Sequence, residues 1–306
     1  MDKTYADTVR LLLDITPTVF ASDIFGMKGG TAINLYLQNM PRLSVDIDVV
    51  YLPLETTRDE ALKDIQKELS AIASRIKSLG LQTRLIGSRD IGDTKLIVDN
   101  EYGQVKIEVN VVFRGTVLPI ERQPLTQIAS DMFGTEIVAP TLARDEVYAG
   151  KIVAALDRQH PRDLFDVWRL YASGGLSHTM IECFVIYLAG HNRPPHEVLF
   201  GNDKNIEADY EQAFVGMTDL PCPLETLLDA RSQLRLDLCN HLTDKHRCFL
   251  AGLVQAEPDW SLLECNHAAQ LPALRWKLAN LKAFRKSRPA DFHAQADTMM
   301  TSLDAL

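Results

Sequence analysis

The stretch Met27–Tyr51, MKGGTAINLYLQNMPRLSVDIDVVY, decides how the rest of the chain is read. It opens on Gly29-Gly30, passes through Thr31 into a short apolar run of helical character, Ala32 to Leu37, and turns at Asn39 and Pro41. An apolar strand, Val45 to Tyr51, follows, interrupted by Asp46 and Asp48. Residues two apart on a strand share a face. The two acids therefore project together, while Val45, Ile47 and Val49 point the other way and can pack. Neighbouring carboxylates repel each other. A divalent cation offsets that repulsion, and oxygen ligands suit Mg²⁺ or Mn²⁺.

The glycine pair supplies the complementary half. Glycine lets a phosphate come close to the main chain, and a helix starting just behind it offers free N–H groups at its positive end. A phosphate cradle shortly ahead of a metal-binding acid pair is the plan of a nucleotidyltransferase. Taken singly, a D-x-D is common and a Gly-Gly before a helix is a tight turn; the order and spacing of both carry the reading.

Composition sets the frame. At 306 residues, 46% hydrophobic and 24% charged, the chain has the make-up of a globular protein with room for two packed units. No apolar run approaches membrane-span length and no basic-then-apolar leader is present, so no membrane partner is expected and the location is read as cytoplasmic. Five scattered cysteines (Cys183, Cys222, Cys239, Cys248, Cys265) form no C-x-x-C pair and read as reduced thiols. A net charge of −9 argues against general affinity for nucleic acid. Locally, RWKLANLKAFRKSR carries Arg275, Lys277, Lys282, Arg285, Lys286 and Arg288 without an acid.

In chain order, Lys3 to Phe20 reads as a helix bent at Pro17, and Ile24 to Lys28 as a strand feeding the glycines. Thr56 to Leu79 is a long amphipathic helix with Leu62, Ile65, Leu69, Ile72 and Ile76 at threes and fours, closed by Gly80. Strands follow at Leu81 to Ile86, Lys95 to Val98 and Gln104 to Phe113, separated by Gly87, Gly92 and Gly103. The last alternates, placing Lys106, Glu108 and Asn110 on one face. Gly115 to Gly134 reads as turns, and Thr141 as the cap of a helix through Leu156. His160-Pro161 starts a new helix carrying Asp163 and Asp166 on one face. Beyond Gly174 the pattern is helical: Ser177 to Ala189, Leu224 to Leu242, His246 to Gln255 and Pro272 to Lys286, with breaks at proline clusters.

Two motifs together resemble the AbiEii-type nucleotidyltransferase toxins, a branch of the DNA polymerase β-like superfamily. They are Gly29-Gly30-Thr31 with Asn34 and Arg42-x-Ser44-x-Asp46-x-Asp48, then Glu146-x-x-x-x-Lys151 with Pro161-Arg162-Asp163-x-x-Asp166. CFLAGLVQAEPDW and LPALRWKLANL extend the likeness toward the C-terminus. The resemblance implies an α+β fold: a polymerase β-like domain with an α/β-type mixed sheet over residues 1–140, then an all-helical domain over 141–306 that completes the active site and meets the acceptor. It implies a metal site at Asp46 and Asp48, with Glu108 on a neighbouring strand as third carboxylate; a solvated strand face is the alternative for Glu108. Gly29, Gly30, Thr31 and Ser44 would contact the NTP phosphates. Lys151 would bind them too, Asp166 would be an essential acid, and Arg42, Arg162 and Asp163 would be supports.

Read from the residues alone, Lys151 lies among Val147, Ile152 and Val153, so its charge needs a partner. A triphosphate would be one, unless the stem merely lies along apolar neighbours. The likeness further implies an RNA acceptor, the 3′ end of tRNA foremost, and a cognate antitoxin in an abortive-infection or toxin–antitoxin system. The basic stretch would suit a phosphate backbone, with Trp276 and Phe284 available for stacking; a solvated helix with Trp276 in the core is the alternative. Transfer to a small molecule or a protein hydroxyl, kinase-like γ-phosphate transfer, and a non-catalytic partner-binding module are the competing readings.

Overall fold

A computed structural model of the chain describes residues 3–88 and 92–305. The chain divides into two compact units, Met1–Val147 with Met217–Leu220, and Tyr148–Gly216 with Pro221–Leu306. The division falls inside a helix rather than ahead of it at residue 140.

The first unit begins with helix α1 (Lys3–Val19), which contains Pro17, and strand β1 (Phe25–Lys28). One turn of helix, α2 (Gly29–Thr31), runs into a π-helix over Ala32–Leu37, closed by a bond from the Gln38 N–H to the Ile33 carbonyl at 2.7 Å. Such widened turns recur at functional sites. Strand β2 (Asp46–Tyr51) leads to α3 (Arg58–Ser78), whose start is fixed by a reciprocal capping box between Thr57 and Glu60. Then come β3 (Gln82–Ser88), β4 (Gly92–Asp99) and β5 (Gln104–Asn110). Gly92, expected as a break, opens β4. Strand β5 stops at Asn110 because its side-chain oxygen accepts from the N–H groups of Val112 and Phe113, bending the chain away before Phe113.

The passage read as turns, Gly115 to Gly134, holds β6 (Glu121–Pro124) and α4 (Gln127–Phe133), and β7 (Val138–Thr141) follows it. Thr141, expected to cap a helix, is buried as the last residue of β7; α5 (Arg144–Asp157) starts beyond it. Among the described residues the strands form one seven-stranded sheet, β3-β4-β5-β2-β1-β7-β6. β2 runs parallel to β5 and β1 parallel to β7; the other pairs are antiparallel. Ile47, Val49, Leu96, Val98, Val105, Ile107 and Val109 are buried on one face, and α1 and α3 pack on the sheet. Met217–Leu220 joins this unit: the Leu43 N–H donates to the Met217 carbonyl at 2.8 Å, and the Thr218 hydroxyl to the Pro41 carbonyl at 2.7 Å.

The second unit is helical among its described residues. α6 (Pro161–Ala172), α7 (His178–Ala189), α8 (Pro195–Leu199), α9 (Glu207–Ala213), α10 (Leu224–His241), α11 (Asp244–Val254), α12 (Pro272–Ser287) and α13 (Pro289–Asp304) follow the end of α5. α7 is its hub. Met180 to Ala189 are all buried, and α8, α10, α11 and α12 pack around it. An all-round apolar helix is the form a core helix takes, and its one buried acid, Glu182, accepts from His246 Nε2 at 3.0 Å and from the Glu264 N–H at 2.7 Å.

Candidate active site

In the first unit, the D-x-D spacing does what strand geometry requires. Asp46 and Asp48 are half-buried on one face of β2, with Ile47 buried on the other. The glycine pair is pressed against this strand and the bend before it, Gly29 on Asp48 and Gly30 on Ser44 and Arg42. Gly29 has φ +77°, and a Cβ there would stand 2.3 Å from Asp48 Oδ2; at Gly30 it would stand 2.8 Å from Ser44 Oγ and 2.9 Å from an Arg42 guanidinium nitrogen. Only the lack of a side chain allows that approach.

A polar brace holds this arrangement. Asn34 Nδ2 donates to the Gly30 carbonyl at 2.8 Å, and Asn34 Oδ1 accepts from the Arg42 N–H at 3.2 Å. The buried Arg42 donates from its guanidinium to the Leu43 carbonyl at 2.8 Å. The Ser44 N–H donates to the Tyr5 hydroxyl at 2.9 Å; burial pushes that phenol's pKa up, so it stays neutral. Thr31, fully buried, donates its hydroxyl to the Asp46 carbonyl, so the 3.1 Å contact between Thr31 and Ser44 hydroxyls has Ser44 as donor. The Thr31 hydroxyl thus ties α2 to β2, which leaves its main-chain N–H as the donor it could offer a phosphate.

Glu108 is the register partner of Asp48 across the parallel β2–β5 pair, hence on the same face. Its carboxylate lies 3.1 Å from Lys95 Nζ, the residue opposite it on β4. Among the described residues no three His, Cys, Asp or Glu side chains gather as a metal-holding group. Asp46 and Asp48, on one strand face with Glu108 beside Asp48, are oxygen donors of the kind that could hold a hard cation. Two carboxylates completed by substrate phosphates and water are a sufficient protein contribution for Mg²⁺.

The second unit holds Lys151, Asp163 and Asp166 together. Lys151 Nζ lies 3.0 Å from Asp163 Oδ1 and 2.9 Å from Asp166 Oδ2, with the three side chains 8%, 3% and 0% exposed. Arg158 adds a forked contact to Asp163, at 2.9 and 3.0 Å. Burial alone would raise the Asp163 carboxyl, but Lys151 and Arg158 hold it down at about 2. Cations thus face the buried acids, which offsets the cost of burying charge. The partner that the Lys151 charge needs is thus internal. Arg158, beside the expected Arg162, braces Asp163 although its own side chain is largely exposed; Arg162 is exposed too. Arg158 lies seven residues after Lys151, two helical turns on, which is the signal the sequence offers for it.

Local turns build the cluster. Gln159 takes φ 55°, its amide oxygen accepting from Arg231 at 3.0 Å and from the Lys204 N–H at 2.9 Å. His160 caps α6, accepting from the Arg162 N–H at 3.1 Å; burial lowers its pKa, which keeps that nitrogen an acceptor. Glu146, in the first unit, holds the main-chain N–H groups of Val117 and Leu118 at 2.8 and 2.9 Å.

The basic stretch divides on α12. Arg275, Lys282 and Lys286 are exposed, seven and four residues apart and so on one stripe. Lys277 does not join them. It is 5% exposed, its ammonium donating to the His191 and Arg193 carbonyls at 2.9 and 2.7 Å, and burial pushes its pKa down to about 8. Arg285 is held by Glu257 at 2.8 Å, and Arg288 lies over the Phe284 ring at 4.9 Å. Trp276 is 47% exposed and so not a core residue.

No helix among the described residues is long and apolar enough to cross a membrane. No curated protein matches the sequence. Among solved structures, the chain is similar to MenT4, a nucleotidyltransferase toxin from Mycobacterium tuberculosis H37Rv. The TM-score is 0.60 at 19% identity, over 91% of this chain and 94% of that one, a likeness of fold. The family model for the nucleotidyl transferase AbiEii toxin of type IV toxin–antitoxin systems matches residues 10–280. By that match over most of its length, the chain belongs to the AbiEii nucleotidyl transferase toxin family.

Proposed function

We propose that this toxin transfers a nucleoside monophosphate from an NTP to RNA, at the 3′ end of tRNA, so that translation stops until a cognate antitoxin intervenes. The observation that carries the reading is Gly29 held against Asp48, one of two carboxylates that share a strand face, with Gly30 beside it held against Ser44 and Arg42, at distances no side chain would permit. Asp46 and Asp48 would hold Mg²⁺ or Mn²⁺, which supplies neutralisation of triphosphate charge and a lowered pKa at an acceptor hydroxyl.

The chain's own groups do the rest. The Gly29 and Gly30 N–H groups face a helix start where phosphate oxygens are well received. Ser44, half-exposed, can turn its hydroxyl from Thr31 to a phosphate. Lys151, fixed by Asp163 and Asp166, is a preset positive charge that needs no reorganisation, with Asp166 as its buried anchor. In the reaction the acceptor oxygen bonds the α-phosphorus and the bond to the bridging oxygen breaks. Pyrophosphate leaves, and the hydroxyl proton passes to solvent. The exposed Arg275, Lys282 and Lys286 share one stripe of α12, and a cationic stripe of this kind would suit an RNA backbone.

The test supplies each α-labelled NTP with total tRNA, a protein extract and small hydroxylated acceptors, with and without Mg²⁺. Label at RNA 3′ ends, dependent on the metal and lost in Asp48→Asn, is the expected result. Label on protein or small acceptors with RNA untouched overturns the choice of acceptor.

A further inference from the structure

α12 borders a groove of about 240 Å³ within the second unit. This is below the roughly 300–1,000 Å³ of drug-sized pockets, and suits one planar ring. Its walls have a specific chemistry. Trp276, Asn280, Phe284 and Arg288 follow one another at fours along α12, so they line one side. Asn192 and Gln295 contribute from the segment before α8 and from α13. Three amides, each able to donate and accept, thus surround an aromatic pair, one member of which, Trp276, is half open to solvent.

The segment carrying Asn192 is not loose. Lys277 donates to the carbonyls on either side of it, those of His191 and Arg193. A buried ammonium committed to two main-chain acceptors acts as a pin, holding one wall of the groove against α12. Phe284 is likewise set: Phe292 meets its edge at 5.9 Å and Arg288 covers a face at 4.9 Å. The free flat surface is therefore the indole.

Charge selects the occupant. From Arg275 to Arg288 there is no acid; Arg288 lines the groove itself, and the stripe Arg275, Lys282, Lys286 runs along the adjoining side of the same helix, reached from the groove by way of Arg275 next to Trp276. Two acids outside the stretch stand near its other arginines, Asp291 at 4.0 Å from Arg288 and Glu257 at 2.8 Å from Arg285. A ligand that combines a flat ring, donors and acceptors along its edge, and a negative backbone meets all three features. We infer that this groove takes one unpaired base of single-stranded RNA, stacked on Trp276 with its edge read by the amides of Asn280, Asn192 and Gln295, while the cationic stripe carries the adjoining phosphates. The inference rests on RNA being the acceptor for its purpose, and on the groove's own chemistry for its binding.

The experiment is fluorescence anisotropy of the full chain with a labelled single-stranded oligouridylate, against the same backbone without bases. Wild type should prefer the oligouridylate about tenfold, the scale of one base–aromatic stack. Trp276→Ala should erase that preference and leave binding of the abasic strand unchanged; Trp276→Phe should recover part of it. Lys282→Glu with Lys286→Glu should weaken both strands alike. Equal binding of the two strands by wild type, or a preference that survives Trp276→Ala in a protein of unchanged melting temperature, overturns the groove. Nucleotidyl transfer to tRNA, run on the same samples, keeps the two readings apart. Transfer intact with no base preference sinks the groove alone; base preference without transfer sinks the acceptor reading alone.

Discussion

Asp163 and Asp166 in the second unit and Asp46 and Asp48 in the first are both acid pairs, yet they are set in opposite ways. The former are sealed from solvent and matched by Lys151 and Arg158 at hydrogen-bonding distance. The latter are half-exposed, side by side on a strand, with glycine main chain brought against Asp48. A buried cluster whose acids already face cations serves position and stability first. A half-exposed pair beside a glycine cradle is arranged for something that arrives. The contrast separates the residues whose loss should stop chemistry from those whose loss should first loosen the fold.

The largest expected effect is on the open pair. Asp48→Asn keeps size and shape and should cost transfer about a thousandfold or more, the scale of removing a charge-stabilising group at a reacting centre. Its melting temperature should move little. A variant that transfers normally would break the comparison on this side.

Lys151→Ala should act the other way, through stability. It takes from two buried carboxylates the ammonium that both of them face, a loss of about 3 kcal/mol or more in urea unfolding. Pairing Lys151→Met with Asp166→Leu should restore most of that, because an apolar replacement of a buried ion pair is close to neutral. Transfer that stays absent in the restored double variant sharpens the case for Lys151 at the phosphates; transfer that returns confines it to structure.

A smaller effect is set by pH. The Asp163 carboxyl is held at about 2 against an ordinary 3.8, so the folded chain binds that proton more weakly than the unfolded one. The stabilisation, about 2 kcal/mol, is present in full above pH 4 and drains as pH falls toward 2. Urea midpoints at pH 5 and pH 3 should therefore fall further in wild type than in Asp163→Asn. Equal slopes would mean that the cluster is not held as described.

Much of this architecture is legible in the residues themselves. Alternation in DIDVVY and QVKIEVN marks two strands and the shared face of their polar residues, and the threes and fours of Leu62 to Ile76 mark the helix that covers the sheet. Register is not legible. That Glu108 stands beside Asp48 follows from a parallel pairing whose strands are far apart in sequence, and that Lys95 meets Glu108 needs a third strand. β6, ERQP, carries no apolar alternation because it is an exposed edge, so periodicity has nothing to find. α13, which lies beyond the helices expected from the pattern, does carry a signal: Phe292, Ala296, Met299 and Leu303 recur at fours and threes behind a proline at the helix start. Lys277 reads as part of a basic face only while its neighbours are ignored. It lies between Ala273, Leu274 and Leu281 on the buried stripe, where only a lysine with internal acceptors can stay. Tyr5, which accepts from Ser44, leaves no local signal at all, since its partner lies far along the chain.

The short return of Met217–Leu220 to the first unit bears on any attempt to dissect the molecule. A fragment cut at Val147 strips the Leu43 amide of its acceptor and leaves the Pro41 carbonyl without Thr218, one residue away from the arginine that braces the glycine turn. The bend carrying Arg42 and Ser44 would then be tethered from one side only. Split-protein designs, and searches for a minimal nucleotide-binding half, should therefore carry the distant tetrapeptide along, fused or added in trans, or start from a bend that has lost its clasp.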